Sequence, residues 1–380
     1  MFCCLTIHCY APTLKTSLST IIYFLSRVTI PIRAENIKLP EWEIKTDKDG
    51  VVLYYYRFLR RLWIAYYPDT ENLLISGSLL GIKDYDRASN VDDVFLNIYE
   101  IQDYFTYLNE KINNFLTGVN INILYCKATR CDFCFNVKTP YYERYIEFFN
   151  LCYKYCKKFK DYKNFTIEKG CGESESFYLK TEKQYEKNSN QNFTLNFYNK
   201  KDQLVSKRAY QENTFGHSAI SEHDIECSDN ILRLELQAHY NCLVRICREN
   251  NIPIGQRRLI DFIDINVCRN AICRKIKYFF TECDFYSYKE ALKMIENSNV
   301  KLTPKFRKYL LDISRRYKVN NVGYNKKLIK LGIYPYMFIP QKWNIPKLQN
   351  PIKLIDEKID NNKLHFIKLK GENNEKIANN

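Results

Sequence analysis

Three stretches of the chain decide the fold: Thr129-Arg130-Cys131-Asp132-Phe133-Cys134-Phe135, Phe193-Thr194-Leu195-Asn196-Phe197-Tyr198-Asn199-Lys200 and Ile231-Leu232-Arg233-Leu234-Glu235-Leu236-Gln237. Polar and apolar residues alternate in each stretch, and alternate residues of a strand point to opposite faces. One face is therefore predicted to be aromatic and aliphatic, whereas the other carries acids, bases and a phenol. We expect the three stretches to be strands of one antiparallel sheet whose apolar face packs on helices.

Other parts of the chain also have strand-like patterns. β-branched and aromatic runs separated by a Pro-Asp-Thr turn predict two strands within residues 50–80, at Val51–Phe58 and Leu62–Tyr67. Further strands are predicted at 121–137 and near 175–180.

Helical patterns alternate with these strands, so the fold class is predicted to be α+β. Apolar residues three or four apart predict a helix from Val91 to Ile112, ending near Gly118, and a second helix that begins at Pro140. After about residue 255 the pattern becomes mainly helical, with helix caps predicted at Ser287 and Thr303.

The length of 380 residues is typical of two domains. We expect an N-terminal extension over residues 1–40 and an α+β domain over 41–250. A helical, basic domain is predicted over 251–350, followed by an Asn- and Lys-rich mobile tail over 351–380.

The composition points to a polyanionic partner. Lys and Arg number 58 against 43 Asp and Glu, which gives a net charge of +15. No uninterrupted apolar run is long enough for a membrane span, and the first 27 residues lack the pattern of a signal peptide. We therefore expect nucleic acid rather than a bilayer as the partner. The 15 cysteines are odd in number and scattered, which is typical of reduced thiols in a cytoplasmic protein.

The predicted polar face suggests a chemistry. Two carboxylates held on strands, Asp132 and Glu235, suit a hard cation such as Mg²⁺ or Mn²⁺, and a nearby Tyr198 could act as a nucleophile. Cys131 and Cys134 are three residues apart and would face opposite ways, which argues against zinc. The alternative is a solvated face with cross-strand Arg–Glu pairs, as antiparallel sheets often have.

The order of the segments resembles a known family. Thr129-Arg130-Cys131-Asp132 resembles the T-R-x-D strand of phage and plasmid replication initiation proteins of the filamentous-phage gene II/X type. Ser176–Leu179 and then Asn196–Lys200 resemble the short strand and Y-x-K element of that family, and Leu232–Gln237 resembles its L-R-x-E-x-Q strand. The ordered match covers roughly 120–240. Leu331–Pro335 through Trp343 resembles a C-terminal segment of related replication proteins.

This resemblance implies a nickase-type catalytic domain and the activity of a rolling-circle replication initiator. Such enzymes nick one strand of a supercoiled replicon at its origin, forming a 5′-phosphotyrosine link and a free 3′-OH. Carried over by motif, Tyr198 would be the nucleophile, with Asp132 and Glu235 supporting the metal. Lys200 and Arg233 would stabilise phosphate charge. Single-stranded and supercoiled origin DNA, a host helicase and a polymerase are the implied partners.

Many related nickases bind metal through a His-x-His pair, which the five histidines of this chain do not form. We expect His217 and His223 to lie in a surface loop, and Cys152 and Cys156 to lie in the core. Candidate contacts to the DNA backbone are basic residues that could equally form a solvated helix face. They are Arg130, Lys154, Lys157, Lys158, Lys160, Lys201 and the Arg and Lys residues of 257–277.

Two other functions are compatible with these patterns. A non-catalytic origin-binding or regulatory protein could keep the scaffold without the chemistry, and it would bind DNA with strong salt dependence. An RNA-binding protein could use an aromatic sheet face and would prefer RNA over DNA of equal sequence.

Overall fold

The fold combines antiparallel sheets with helices, which confirms the α+β class. The computed structural model describes residues 19–21, 25–38, 42–46, 50–59, 62–78, 94–96, 106, 109–164, 176–181, 193–215, 218, 220, 222–255, 257–262, 264–317 and 319–360. Within this part no helix has the length and apolar character needed to cross a bilayer.

Among the residues that the structure describes, fourteen strands form one large sheet and two small ribbons. They are β1 (Ser19–Ile21), β2 (Leu25–Pro31), β3 (Glu43–Thr46), β4 (Val52–Leu59), β5 (Leu62–Tyr67), β6 (Asn72–Ser78), β7 (Val94–Leu96), β8 (Ala128–Lys138), β9 (Tyr162–Asn164), β10 (Ser176–Thr181), β11 (Phe193–Asn199), β12 (Ile231–His239), β13 (Phe285–Tyr286) and β14 (Lys347–Leu348).

The described part contains nine helices besides the short helical segment at 109–113. They are α1 (Tyr142–Tyr155), α2 (Lys200–Phe215), α3 (Glu222–Cys227), α4 (Tyr240–Glu249), α5 (Ile265–Phe280), α6 (Tyr288–Glu296), α7 (Pro304–Ser314), α8 (Val322–Lys330) and α9 (351–360). The two predicted caps are confirmed, since Ser287 accepts a hydrogen bond from the backbone N–H of Glu290 and Thr303 accepts one from that of Phe306.

The large sheet has ten strands in the order β3-β4-β5-β6-β2-β8-β12-β11-β10-β9, all antiparallel. The three stretches that opened the sequence analysis are therefore neighbours, with β12 between β8 and β11. Their pairing runs without a register shift from Arg130 opposite His239 to Lys138 opposite Ile231. The alternation of the sequence is preserved across all three strands as a result.

The apolar face of this half of the sheet forms the main core. Phe133, Leu236 and Leu195 lie in one row across the strands, and Phe135, Leu234, Phe197 and Phe177 lie in the next. Helices α1, α4 and α5 contribute buried side chains to the same cluster. The ring of Phe149 on α1, for example, lies 5.1 Å from that of Phe197 and 4.4 Å from that of Phe280 on α5. Burying aromatic rings of this size is a dominant source of stability.

The residues that follow about residue 251 contribute to two hydrophobic cores. Helix α5 packs on the sheet, and Phe285, Tyr334 and Ile355 belong to the main core as well. Helices α6, α7 and α8 instead have a smaller core of their own, built around Phe306 and Leu310. The predicted domain of residues 251–350 therefore has two parts. Helix α5 packs on the large sheet, whereas α6, α7 and α8 form a three-helix unit with a core of its own.

Two segments in the predicted terminal regions form regular structure. Residues 25–31, within the predicted N-terminal extension, form the interior strand β2 between β6 and β8. Residues 351–360, within the predicted mobile tail, form helix α9, whose Ile352 and Ile355 are buried. Residues 361–380 lie outside the described part.

The predicted helix over 91–112 is wrong at Val94–Leu96, which pair with β1 as a strand. Residues 109–113 at its C-terminal end are helical, and the other residues of this segment, apart from Thr106, lie outside the described part. The strand predicted over 121–137 begins only at Ala128, since 123–125 form a 3₁₀ turn. Cys152 and Cys156 are buried in the main core, as predicted.

Candidate active site

The polar face of the sheet half β8-β12-β11-β10 is a grid of side chains in cross-strand register. The three rows, each given from β8 to β10, are Asn136-Arg233-Tyr198-Ser176, Cys134-Glu235-Asn196-Tyr178 and Asp132-Gln237-Thr194-Lys180. Arg130 and His239 form a further pair at the end of β8 and β12. Half of these fourteen side chains are buried and the others are half-buried, which corrects the alternative of a solvated face.

Glu235 is at the centre of the grid and accepts three side-chain hydrogen bonds. The Tyr198 hydroxyl donates to Oε2 at 3.1 Å, and Arg233 Nε donates to the same oxygen at 3.2 Å. Gln237 Nε2 donates to Oε1 at 2.9 Å. Burial alone would raise the pKa of Glu235, but the Arg233 charge and these hydrogen bonds outweigh it and hold the pKa below its ordinary value. Glu235 is therefore a buried carboxylate that stays ionised.

Tyr198 is 8% exposed and is held by that carboxylate. Burial raises the pKa of its phenol well above the ordinary value, and Glu235 adds to the rise, whereas Arg233 opposes it. The phenol is accordingly neutral at rest, and it needs a proton acceptor at the moment it attacks. Glu235 Oε2 is within the distance at which a general base acts.

Asp132 forms a separate pair with Arg130. The guanidinium donates from Nε to Oδ1 at 2.9 Å and from Nη2 to Oδ2 at 2.8 Å. Burial raises the pKa of Asp132 to about 6, with Arg130 opposing the rise. Asp132 lies diagonal to Glu235, about 7–8 Å away between Cα atoms, but it is two strands and two rows from Tyr198, which is about 16 Å. The structure thus brings Glu235 to the phenol and leaves Asp132 at a distance.

Lys200 follows β11 directly and begins α2, with only 4% of its surface exposed. Its Nζ donates to Gln203 Oε1 at 2.8 Å. Burial and the nearby positive charge of Arg233 lower the pKa of Lys200 well below its ordinary value. The charges of Arg233 and Glu235 both act on the Lys200 amine, which places it on the same side of the sheet as the phenol. Lys201, by contrast, is exposed and forms an ion pair with Asp229 at 2.7 Å.

The predicted DNA contacts on α1 and on the 3₁₀ turn Lys157–Phe159 that follows it lie on the opposite side of the sheet from Tyr198, because α1 packs on the apolar face. Lys154 and Lys157 are exposed there. Lys158 is half-buried, and its Nζ donates to the Tyr278 carbonyl at 3.3 Å and lies 4.9 Å from the ring centroid of Tyr336. These lysines therefore do not join the candidate site.

Most basic residues of 257–277 have local partners. Arg257 is 2% exposed, with its guanidinium 4.1 Å from the ring centroid of Tyr240. Four others form ion pairs: Arg258 with Asp261, Arg269 with Asp356, Arg274 with Glu249 and Lys277 with Glu282. This segment fits the alternative of a helix face whose charges are balanced within the protein.

Two oxygen-bearing side chains, Glu235 and Asn196, meet at the centre of the grid. Asn196 lies directly opposite Glu235 on the neighbouring strand, and its Oδ1 is buried without a hydrogen-bond partner in the described part. Carboxylate and amide oxygens are the ligands that Mg²⁺ and Mn²⁺ prefer. The described residues contain no group of three or more His, Cys, Asp or Glu side chains that could hold a metal, so any such ion would depend on Glu235, Asn196 and water. Cys131 and Cys134 face opposite sides of β8.

Three members of the site were not assigned a role from the sequence: Gln237, Asn196 and Tyr178. Each has the parity of a predicted polar-face residue, so the alternating pattern contained the signal. What the pattern lacked was the register that puts Asn196 opposite Glu235 and Tyr178 opposite Asn196. His217 lies outside the described residues, as does the side chain of His223.

The chain shows no match to a protein-family model, to a curated protein or to a solved structure.

Proposed function

We propose that this protein is a rolling-circle replication initiator that nicks one strand of DNA at a phage or plasmid origin through Tyr198. The observation that carries the proposal is the hydrogen bond from the Tyr198 hydroxyl to Glu235, on a face that also holds Arg233 and Lys200. A nucleophile, a base within reach and cations for phosphate charge are the elements that this reaction requires. The ordered resemblance to the gene II/X type of initiator supports the same activity.

The proposed reaction balances as a transesterification. The Tyr198 oxygen attacks the scissile phosphorus while its proton passes to Glu235 Oε2. The bond from phosphorus to the 3′ oxygen breaks, and that oxygen takes up a proton from water and becomes the free 3′-OH. Arg233 and Lys200 stabilise the charge that develops on the phosphate oxygens. Mg²⁺ or Mn²⁺, when bound, supplies further neutralisation of that charge.

The proposal includes the wider setting of an initiator. The sheet with α1, α4 and α5 would be the nickase-type catalytic domain, followed by the mainly helical C-terminal region. The partners would be supercoiled and single-stranded origin DNA, a host helicase and a polymerase, all in the cytoplasm. The ten cysteines whose side chains the structure describes are free thiols, which supports a reducing compartment.

The test is incubation of the protein and Mg²⁺ with a supercoiled plasmid that carries the replicon encoding it. We expect open circles with protein bound covalently to a 5′ end, and mapping of the adduct to Tyr198. Tyr198→Phe should give none, whereas the matched control Tyr178→Phe, which removes a phenol from the neighbouring row, should still nick. Undiminished nicking by Tyr198→Phe would reject the proposal.

A non-catalytic origin-binding protein is the second candidate. The observation that favours it is the burial of Tyr198 together with the arginine pairing of both carboxylates, since a phosphodiester must displace these contacts to reach the phenol. This candidate predicts salt-sensitive DNA binding that is indifferent to Asp132→Ala and Glu235→Ala, with no covalent adduct.

A further inference from the structure

The three-helix unit formed by α6, α7 and α8 concentrates the positive charge of the chain. Residues 288–330 contain twelve Lys and Arg against three Asp and Glu, a net charge of +9 out of the +15 of the whole sequence. A charge density of this kind attracts a polyanion.

The unit is held together from within, so its charged side chains are directed outward. Phe306, Leu310 and Leu328 are buried in its core. The Tyr309 hydroxyl donates to Asn325 Oδ1 at 2.6 Å and links α7 to α8. Cap residues begin both helices, Thr303 for α7 and Asn321 for α8. A rigid frame of this kind presents its surface in one defined arrangement.

Most of the basic side chains that the structure describes in this unit are exposed and form no ion pair. In the part of the unit that the structure describes, only Lys293 and Arg307 form ion pairs, with Glu290 and Glu296 respectively. The exposed residues without an ion pair are Lys289, Lys301, Lys305, Lys308, Arg315, Lys326 and Lys330. The contrast with residues 257–277, where most of the cations are paired, indicates that these charges are available to an external partner.

A basic cleft lies beside the unit and extends its surface. It has a volume of about 320 Å³, and its lining includes Arg316 from the end of α7, Arg144 from α1, Lys342 and Trp343. The Arg144 guanidinium lies 5.3 Å from the centroid of the Trp343 ring and pairs with Glu147. A phosphate group in this cleft would meet the two cations Arg316 and Lys342.

We propose that α6, α7 and α8 form a second DNA-binding surface that holds duplex DNA beside the nicking site, an inference that rests on the proposed function for its role at the origin. A helix with its side chains is about 10–12 Å wide, which matches the major groove. The exposed face of α8 combines Lys326 and Lys330 with Val322 and Ile329. Basic residues contact phosphates, and apolar side chains contact thymine methyl groups.

The experiment compares the variant Lys326→Glu/Lys330→Glu with the control Lys38→Glu/Lys45→Glu, which makes the same change of net charge on the far half of the sheet. Affinity for a mixed-sequence DNA duplex is measured at several salt concentrations. We expect the α8 variant to lose about tenfold or more in affinity and its salt slope to fall by about 2. The control should lose far less.

Affinity for the single strand of the same sequence should change little in the α8 variant. If that variant does not fold, Lys305→Glu/Lys308→Glu on α7 replaces it. Equal losses in variant and control would overturn the inference, as would an equal loss for duplex RNA or tighter binding to vesicles of anionic phospholipid than to DNA. Loss of duplex binding in the α8 variant, together with undiminished nicking by Tyr198→Phe, would reject the catalytic assignment while this surface stands.

Discussion

Two arginine–carboxylate pairs lie on the same face of one sheet, yet they behave in opposite ways. Arg130–Asp132 and Arg233–Glu235 each join residues two apart on one strand, and both are largely buried. The pKa of Asp132 is raised to about 6, whereas that of Glu235 is lowered. Asp132 accepts its side-chain hydrogen bonds from one arginine, and Glu235 accepts from Arg233, Tyr198 and Gln237. Both carboxylates are buried, so the charge of Arg233 and the additional hydrogen-bond donors, rather than a difference in burial, give Glu235 the lower pKa.

The largest expected effect is on catalysis. Glu235→Gln removes the proton acceptor of Tyr198, so the rate of nicking should fall by about 10²–10⁴-fold. Asp132→Asn should cost much less, because Asp132 does not reach the phenol. Rates are measured on supercoiled origin plasmid at matched fractions of folded protein. A larger loss for Asp132→Asn than for Glu235→Gln would invert the roles of the two pairs.

The next effect is on stability. Arg233→Met leaves a buried, ionised Glu235 and should lower the free energy of unfolding by about 3–5 kcal/mol at neutral pH. Arg130→Met should cost less, because Asp132, with a pKa of about 6, can take up a proton instead. Urea denaturation of both variants checks the order. Equal losses would show that the two carboxylates respond alike to the loss of their arginine.

Asp132 and Glu235 should contribute to the pH dependence of the free energy of unfolding with opposite signs. Since the pKa of Asp132 rises from 3.8 unfolded to about 6 folded, the folded state binds more protons in that window. This group therefore lowers stability as pH rises through the window, by about 3 kcal/mol in total. Asp132→Asn should abolish that decline in urea titrations across the window. Glu235, with its lowered pKa, contributes stability that is lost as pH falls. The loss in free energy of unfolding caused by each substitution should therefore change with pH in opposite directions for Glu235→Gln and Asp132→Asn. A change in the same direction would contradict the comparison.

The smallest effect tests the donor count directly. Gln237→Met removes one of the three donors to Glu235, so the pKa of Glu235 should rise and the free energy of unfolding should fall by about 1.5 kcal/mol. Thr194→Val, in the same row, removes no bond to Glu235 and should leave that pKa unchanged. Carboxyl titration followed by NMR measures both. An unshifted pKa of Glu235 in Gln237→Met would mean that Arg233 and Tyr198 are sufficient to keep that pKa low.

The parts of the fold that follow from local pattern were predictable, and the parts that depend on distant pairing were not. Alternation in the stretches at 129–135, 193–200 and 231–237 predicted both faces because side-chain direction in a strand depends only on parity. The order of the ten strands depends on contacts between remote segments. The sequence therefore could not show that residues 25–31 form an interior strand. The helix predicted over 91–112 failed at Val94–Leu96 because pairing with β1 prevailed over the helical spacing.

The candidate site shows the same division. The sequence predicted that Tyr198, Glu235 and Arg233 lie on one face of the sheet, because alternation within each strand separates the polar from the apolar side chains. Their burial was not, because alternation looks the same whether the polar face meets water or protein. The distance of Asp132 from Tyr198 also could not be predicted from the sequence, since it follows from the register of β8 and β11 on either side of β12.

The interior position of β2 has a consequence for the order in which the chain can assemble. Residues 25–31 pair with 72–78 on one side and reach β8 on the other, so the two halves of the sheet cannot join until residue 130 has been synthesised. A chain shortened to begin at residue 42 would present β6 and β8 as bare edges, and exposed edges invite pairing between molecules. Such a truncation should yield aggregates rather than a smaller folded protein.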